Sequence, residues 1–140
     1  MAAWAAAAAS RAVIALLSSA RRRATALLAG MPPEGLSAYR LLNDGRAATL
    51  WQRAREDGDE DALRTLVERY LLSSSGDNGA DFLAALLIDR GLAADALNVL
   101  DRVDAWCADS DVPVARRASK RAVCWLMLGD RARAKATFEP

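Results

Sequence analysis

Three stretches of the sequence contain side chains that could perform chemistry. Residues 73–76 read Ser-Ser-Ser-Gly, residues 77–81 read Asp-Asn-Gly-Ala-Asp, and a basic group lies at 116–121. A serine nucleophile needs a Gly-x-Ser-x-Gly turn between a strand and a helix, with a base beside it. The chain contains no histidine, and the sequence indicates no strand near residue 73. We therefore expect residues 73–76 to form a capped loop.

The acidic residues at 77–81 show part of the pattern of a calcium-binding loop. An EF-hand loop places oxygen ligands at alternate positions and ends on a glutamate at its twelfth position. Counted from Asp77, the third position is Gly79 and the twelfth is Ile88, so both ligands are missing. We predict an Asx-type turn here. With no phosphate-binding glycine loop either, we expect no catalytic residue, no metal and no cofactor, and hence no enzyme.

Basic side chains form the remaining candidate site. Four of them share one face of a predicted helix, and two more follow the glycine at 129, where the helix dipole disfavours cations. This surface could bind phosphate or an acidic peptide, but it could equally pair with the acidic residues that precede it. The possible partner-binding residues are Arg116, Arg117, Lys120, Arg121, Arg131 and Arg133.

The composition indicates which elements position these side chains. The chain has 140 residues, enough for one domain. Its hydrophobic share is 53%, but much of that share is alanine, a strong helix former that adds little core volume. Residues with β-branched or aromatic side chains are sparse. These features predict an all-α protein.

A short repeated sequence motif indicates how the helices are arranged. Residues 61–63 read Asp-Ala-Leu, and the same three residues recur 34 positions later at 95–97. Each copy follows a glycine, Gly58 or Gly91, of the kind that closes a helix by adopting a left-handed conformation. A third glycine, Gly129, precedes a further helical segment. The sequence therefore predicts three helix–glycine–helix hairpins.

Apolar residues at helical spacing indicate how the hairpins pack. We expect Leu66, Leu87 and Leu100 to face a core that neighbouring hairpins share. Local signals agree with helix starts at several points. Pro33 suits the first turn of a helix, and Ser75 or Asp77 is predicted to cap a helix over residues 78–90.

The 34-residue period of a helix–turn–helix unit resembles the tetratricopeptide-repeat family over residues 45–139. The glycines match the turn of that family, and Ala62, Ala96 and Ala134 match its small packing position. Its consensus tyrosine and proline are absent or displaced. The resemblance implies a short α-solenoid of stacked antiparallel hairpins over residues 31–140, truncated at the C-terminal end. Such a stack is expected to bind an extended or helical segment of another protein.

A second, narrower resemblance covers residues 32–100. Pro32 to Arg40, Ala47 to Arg55 and the stretch to Asp77 are similar to the helical N-terminal region of bacterial envelope proteins in which a β-propeller follows, as in outer-membrane-protein assembly factors. The chain encodes no propeller. The resemblance implies the N-terminal part of a larger envelope protein, with the cytoplasm as the alternative location.

The first thirty residues differ from the rest. They contain four arginines and no acidic residue, whereas all 18 acidic residues follow. Three interpretations stay open: an alanine-rich helix packed loosely on the domain, a targeting segment, or residues translated from a start codon placed too far upstream. Membrane contact is expected only through this segment.

The alternative function is that of a basic helical module that binds nucleic acid or an anionic surface. The net charge of +1 gives the chain no general attraction to nucleic acid. Such binding would therefore use the local basic clusters at residues 21–23 and 116–121.

The cysteines and tryptophans are expected to be structural. Cys107 and Cys124 lack metal-ligand spacing and are predicted to be separate buried thiols on two helices. Trp106 and Trp125 are predicted to fill the core, and Trp4 to lie outside it.

Overall fold

The computed structural model describes the backbone of residues 2–139 and the side chains of residues 10–139. The side chain of Trp4 lies outside the described residues. This part of the chain contains helices and no strand, so the all-α prediction is confirmed. The helices are α1 (Ala2–Ala29), α2 (Pro33–Glu56), α3 (Glu60–Arg69), α4 (Gly76–Asp89), α5 (Ala93–Trp106), α6 (Val114–Met127) and α7 (Arg131–Ala136).

Glycine turns join the helices from α2 onward into three hairpins. Gly58, Gly91 and Gly129 adopt φ angles of 67°, 77° and 80° between α2 and α3, α4 and α5, and α6 and α7. Glycine reaches this region without the steric cost of a Cβ atom. After α4 the amide of Leu92 donates to the carbonyl of Leu87 at 2.8 Å, which satisfies a carbonyl that the helix end would leave unpaired. The predicted hairpins are present.

Side-chain caps fix two of the helix starts. Asp59 Oδ1 accepts a hydrogen bond from the amide of Ala62 at 2.9 Å, and Asp130 Oδ1 accepts one from Arg133 at 2.9 Å. Each carboxylate satisfies an amide that has no partner within its helix. The first residue of α2 is Pro33, as predicted, because proline lacks the N–H that this position would leave unpaired.

The start of α4 differs from the prediction. The helix begins at Gly76 rather than at residue 78, and the side chain of Ser75 makes no capping hydrogen bond. The loop after α3 folds back onto this helix start so tightly that a Cβ on Gly76 would lie 2.1 Å from the carbonyl oxygen of Leu71. The predicted Asx-type turn at 77–81 is also wrong, since these residues lie in the first turns of α4.

The hairpins share one core. Leu66, Leu87 and Leu100 are 0%, 3% and 0% exposed, as predicted. A Cβ on Gly79 would lie 2.5 Å from a methyl carbon of Leu66, so the absence of a side chain in α4 lets the leucine of α3 lie against its backbone. Neighbouring hairpins also meet where α6 packs on α4 and α5. Each hairpin therefore covers an apolar face that its neighbour exposes.

The small residues after the glycine turns lie inside this stack. Ala62, Ala96 and Ala134 are 4%, 0% and 5% exposed, each near the start of the second helix of its hairpin. A small side chain at this point allows the two helices of a hairpin to approach closely. The second helix is amphipathic, with its charged residues on the outer side.

Helix α1 packs against α2 and α5. Leu28 and Ala29 contact the core, whereas the outer face of α1 exposes Val13, Ile14, Leu16, Leu17 and Leu27. Among the described helices, none has the length and apolar character that crossing a membrane requires. The three interpretations of residues 1–30 remain predictions.

The cysteines follow the prediction more closely than the tryptophans do. Cys107 and Cys124 are free and buried, although Cys107 lies just past the end of α5 rather than within it. Trp106 and Trp125 are only half-buried and pack at the rim of the core. Each ring lies under an arginine, Arg102 and Arg133 respectively. The prediction that both rings fill the core is wrong because the core is built from smaller aliphatic side chains.

Candidate interaction surface

Three of the predicted partner-binding cations form close ion pairs, at 2.8 Å or less, with carboxylates of other helices. Arg117 Nε lies 2.8 Å from Asp104, and Lys120 Nζ lies 2.6 Å from Asp81. Arg121 pairs with Asp104 at 2.5 Å and also with Asp101. These pairs join α6 to α4 and α5, so most of this basic face stabilises the packing of α6.

The remaining candidate cations are more exposed. Arg116 lies 3.7 Å from Asp81 with 60% of its side chain exposed. Arg133 lies 4.6 Å from the Trp125 ring centroid and 3.3 Å from Asp130. Arg131, at the start of α7, is exposed, with no ion pair among the described residues. The six predicted residues therefore do not form one continuous free basic surface.

The loop between α5 and α6 is tied down from three helices. Arg40 of α2 reaches Asp109 at 2.6 Å. Asp77 of α4, only 8% exposed, accepts hydrogen bonds from Ser110 Oγ at 2.7 Å and from the amide of Asp111 at 3.0 Å. Arg117 of α6 donates to the carbonyl of Val112 at 2.6 Å. Asp77 thus holds a distant loop instead of capping its own helix.

A polar cavity of about 250 Å³ lies beside this loop, between Arg40, Asp77 and Cys107. Burial, reinforced by the nearby carboxylates of Asp77 and Asp109, raises the pKa of the Cys107 thiol to about 12. A thiol is nucleophilic as the thiolate, so this cavity does not activate Cys107 at neutral pH. No group of three side chains suited to hold a metal ion is found among the described residues.

We expect Cys107 to react slowly with iodoacetamide at about pH 8, because the raised pKa keeps the thiol protonated and burial shields it. Mass spectrometry of the native and the guanidinium-unfolded protein measures the modification at each cysteine. Cys124, also buried with a raised pKa, is the internal comparison. Equal modification rates for Cys107 in the native and unfolded protein would contradict this expectation.

Partly exposed apolar side chains form a second surface across the first helices of the three hairpins. We define the apolar strip as Trp51 on α2, Phe82, Ala85 and Ile88 on α4, and Val123 on α6. Phe82 and Val123 are 40% and 43% exposed. The rings of Trp51 and Phe82 meet edge to face with centroids 5.9 Å apart. Ala85, Ile88 and Val123 line one groove of about 230 Å³, so the strip continues from α2 to α6.

Charged groups border the apolar strip. The guanidinium of Arg55 lies 5.5 Å from the centroid of the Trp51 ring. Asp89 and Lys120 line the groove beside Val123. A half-exposed apolar centre with aromatic residues and a charged rim is typical of protein-binding surfaces.

Sequence reasoning missed the apolar strip. Helical periodicity places Trp51 and Phe82 on apolar helix faces, but it cannot tell which side of a helix a neighbour leaves uncovered. The available signal was that α4 is apolar on more than one side, with Phe82, Ala85 and Ile88 beside the core positions Leu83 and Leu87. A helix with so wide an apolar face has more to bury than one neighbour covers.

Comparison of the chain with protein-family models, with curated proteins and with solved structures finds no match.

Proposed function

We propose that the chain is a non-enzymatic interaction module that binds a segment of another protein along the apolar strip. The observation that carries the proposal is the continuity of the strip across three helices, with Phe82 and Val123 about two-fifths exposed. A partner would cover this apolar surface and gain the free energy of its burial.

An amphipathic helix is the partner segment that fits best. Packed helices lie roughly 8–10 Å apart from axis to axis, so a partner helix that crosses from α4 to α6 has to span about that distance. Residues seven apart on a helix are separated by about 10 Å along its axis. One apolar residue of such a helix would contact Phe82, and a second, two turns away, would enter the groove beside Val123.

The period and turn pattern that resemble tetratricopeptide repeats support the same proposal, because stacked hairpins commonly bind a segment of another protein on an extended surface that several hairpins form. Membership in a larger bacterial envelope protein is a weaker proposal, since it depends only on the resemblance of residues 32–100.

Binding to nucleic acid or an anionic surface remains the alternative proposal. It has less support because Arg117, Lys120 and Arg121 already pair with carboxylates. Affinity that falls steeply with salt would favour it, since phosphate contacts release counterions.

Selection of helical peptides against the immobilised protein tests the proposed function. Val123→Glu places a charge in the strip, whereas Val114→Glu places one at the 72% exposed first residue of α6, outside the strip. We expect selected peptides to bind Val123→Glu about tenfold more weakly than wild type, because the bound peptide would have to bury a charged carboxylate in an apolar contact. Val114→Glu should bind as wild type does.

Fluorescence anisotropy of labelled peptides gives these affinities, and circular dichroism checks that both variants stay folded. A selection that yields no peptide, or peptides that bind the two variants equally, would refute the apolar strip as the binding surface.

A further inference from the structure

A cleft between α1, α3 and α5 collects arginines that the apolar strip does not involve. It encloses about 150 Å³ and is lined by Ser18, Arg21, Arg22, Glu68, Asn98 and Arg102. We name it the Arg22–Arg102 cleft. Three cations and one carboxylate give its lining an excess of positive charge.

Arg102 is the unusual member of this set. It is half-buried, and its Nη2 donates to the carbonyl of Val67 at 2.9 Å. Its guanidinium carbon lies 5.6 Å from the centroid of the Trp106 ring. The Nε atom is buried without a hydrogen-bond partner, and within the described part of the chain no carboxylate lies at ion-pair distance from this side chain. A half-buried cation of this kind is costly unless an anion accompanies it.

The surroundings add to this cost. Burial lowers the pKa of Arg102, and the positive charge of Arg22 lowers it further, against the opposing effect of Glu68. Glu68 is also engaged elsewhere, because its Oε2 lies 3.4 Å from Arg21 Nη1. Arg22 itself has no ion pair among the described side chains. Two like charges therefore share a cleft whose one carboxylate pairs with a third arginine.

Neutral donors complete the cleft. Neither the hydroxyl of Ser18 nor the amide of Asn98 makes a side-chain hydrogen bond within residues 10–139. Both line the same space as the two arginines. Donors from α1 and α5 thus converge on a volume large enough for one small anionic group.

A trough with one apolar side adjoins the cleft. It encloses about 310 Å³ and shares Glu68, Asn98 and Arg102 with the cleft. Its other walls are mixed. The charged side chains of Arg64 and Asp95 lie beside an apolar side formed by Val67, Leu83, Leu87, Leu92 and Val99, of which Leu92 is the most exposed. The trough alone reaches the roughly 300 Å³ at which small-molecule sites begin. An anionic group in the cleft would therefore have a place beside it for an attached hydrocarbon chain.

We propose that the Arg22–Arg102 cleft and its trough bind a small amphiphilic anion. The phosphate or carboxylate head group lies between Arg22 and Arg102, where the guanidinium groups form charge-assisted hydrogen bonds. The hydrocarbon chain lies in the trough against Val99 and Leu92. This site uses α1, α3 and α5 together with one side of α4, and it does not depend on the apolar strip.

Isothermal titration calorimetry with octyl phosphate, octanoate and inorganic phosphate tests the site, with the amphiphiles kept below their micelle-forming concentrations. We expect octyl phosphate, octanoate or both to bind with a stoichiometry of one, and inorganic phosphate to bind at least about tenfold more weakly because it has no chain to bury. Comparison of the two amphiphiles distinguishes a phosphate from a carboxylate head group.

Matched variants locate the binding. Arg22→Gln should weaken the amphiphile by about tenfold, whereas Arg23→Gln, the next residue on α1 and outside the lining, should leave its affinity within about twofold. Leu92→Ser, at the 43% exposed edge of the trough, should weaken the amphiphile and not inorganic phosphate. Thermal melts of each variant confirm that the fold is retained.

Absence of binding by both amphiphiles would overturn the proposal, as would equal losses in Arg22→Gln and Arg23→Gln, which indicate diffuse charge attraction. If inorganic phosphate binds as tightly as the amphiphiles, the trough does not contribute to binding and the proposal is wrong. Because Val123→Glu lies outside this site, it should bind the amphiphile normally, so failure of the proposed peptide-binding function and failure of the cleft are distinguishable.

Discussion

Replacing Gly76 with alanine should destabilise the protein by about 3 kcal/mol or more. The new Cβ would lie 2.1 Å from the carbonyl oxygen of Leu71 and 2.5 Å from that of Tyr70. Both contacts are with backbone, so a change of side-chain rotamer cannot relieve them. The loop between α3 and α4 would have to move away from α4, and the first and second hairpins would lose their close approach. Guanidinium unfolding followed by circular dichroism measures the change.

Gly45→Ala is the matched control for this substitution. Gly45 lies inside α2, and a Cβ there would have no atom within 4 Å apart from the neighbouring backbone of its own helix. Alanine should therefore stabilise the protein by about 0.5–1 kcal/mol, since glycine in a helix interior loses more backbone entropy on folding. The two variants make the same chemical change, but their changes in the free energy of unfolding are expected to have opposite signs. If Gly76→Ala unfolds at the wild-type denaturant concentration, the tight loop described here is wrong.

Leu66→Ala should cost about 2–5 kcal/mol, the range typical of removing a fully buried leucine. Its side chain is 0% exposed and lies against the α4 backbone at Gly79. The glycine cannot extend to fill the cavity, and the backbone on both sides is helical, so little relaxation is available. Urea unfolding of the variant gives the loss of stability.

Leu42→Ala provides the comparison for Leu66→Ala. Leu42 is 79% exposed on α2, so its truncation should change stability by less than about 0.5 kcal/mol. A similar effect of the two substitutions would mean that Leu66 does not occupy the core position assigned to it.

The sequence carried enough information to predict the hairpins because their determinants are local. A glycine just past a helix, followed by an acidic N-cap and a buried alanine, specifies the turn through backbone sterics and hydrogen bonds within a few residues. Gly58, Asp59 and Ala62 show the complete pattern. The same reasoning placed Leu66 and Leu100 in the core, since a leucine at helical spacing after the turn has one side on which to be buried.

Features that depend on distant residues could not be predicted in this way. Asp77 follows a serine at a helix start, where a cap was the natural expectation, but Ser110 and the Asp111 amide, more than thirty residues later, take up its carboxylate. The position of Arg102 in a cleft depends in the same way on α1 and α3, which are distant in the sequence and enclose it. The pairing of the α6 cations with acidic residues was one of two alternatives, and only the packing of α6 on α4 and α5 distinguishes them.

The central claim, that the hairpins stack into one shared core, is tested most directly by hydrogen exchange of Leu66→Ala followed by mass spectrometry. If the core is shared, the slowest-exchanging amides of α3 (Glu60–Arg69) and of α5 (Ala93–Trp106) should lose protection by the same factor, because both open in one cooperative transition. Faster exchange confined to α3, with α5 retaining its wild-type protection, would contradict the claim.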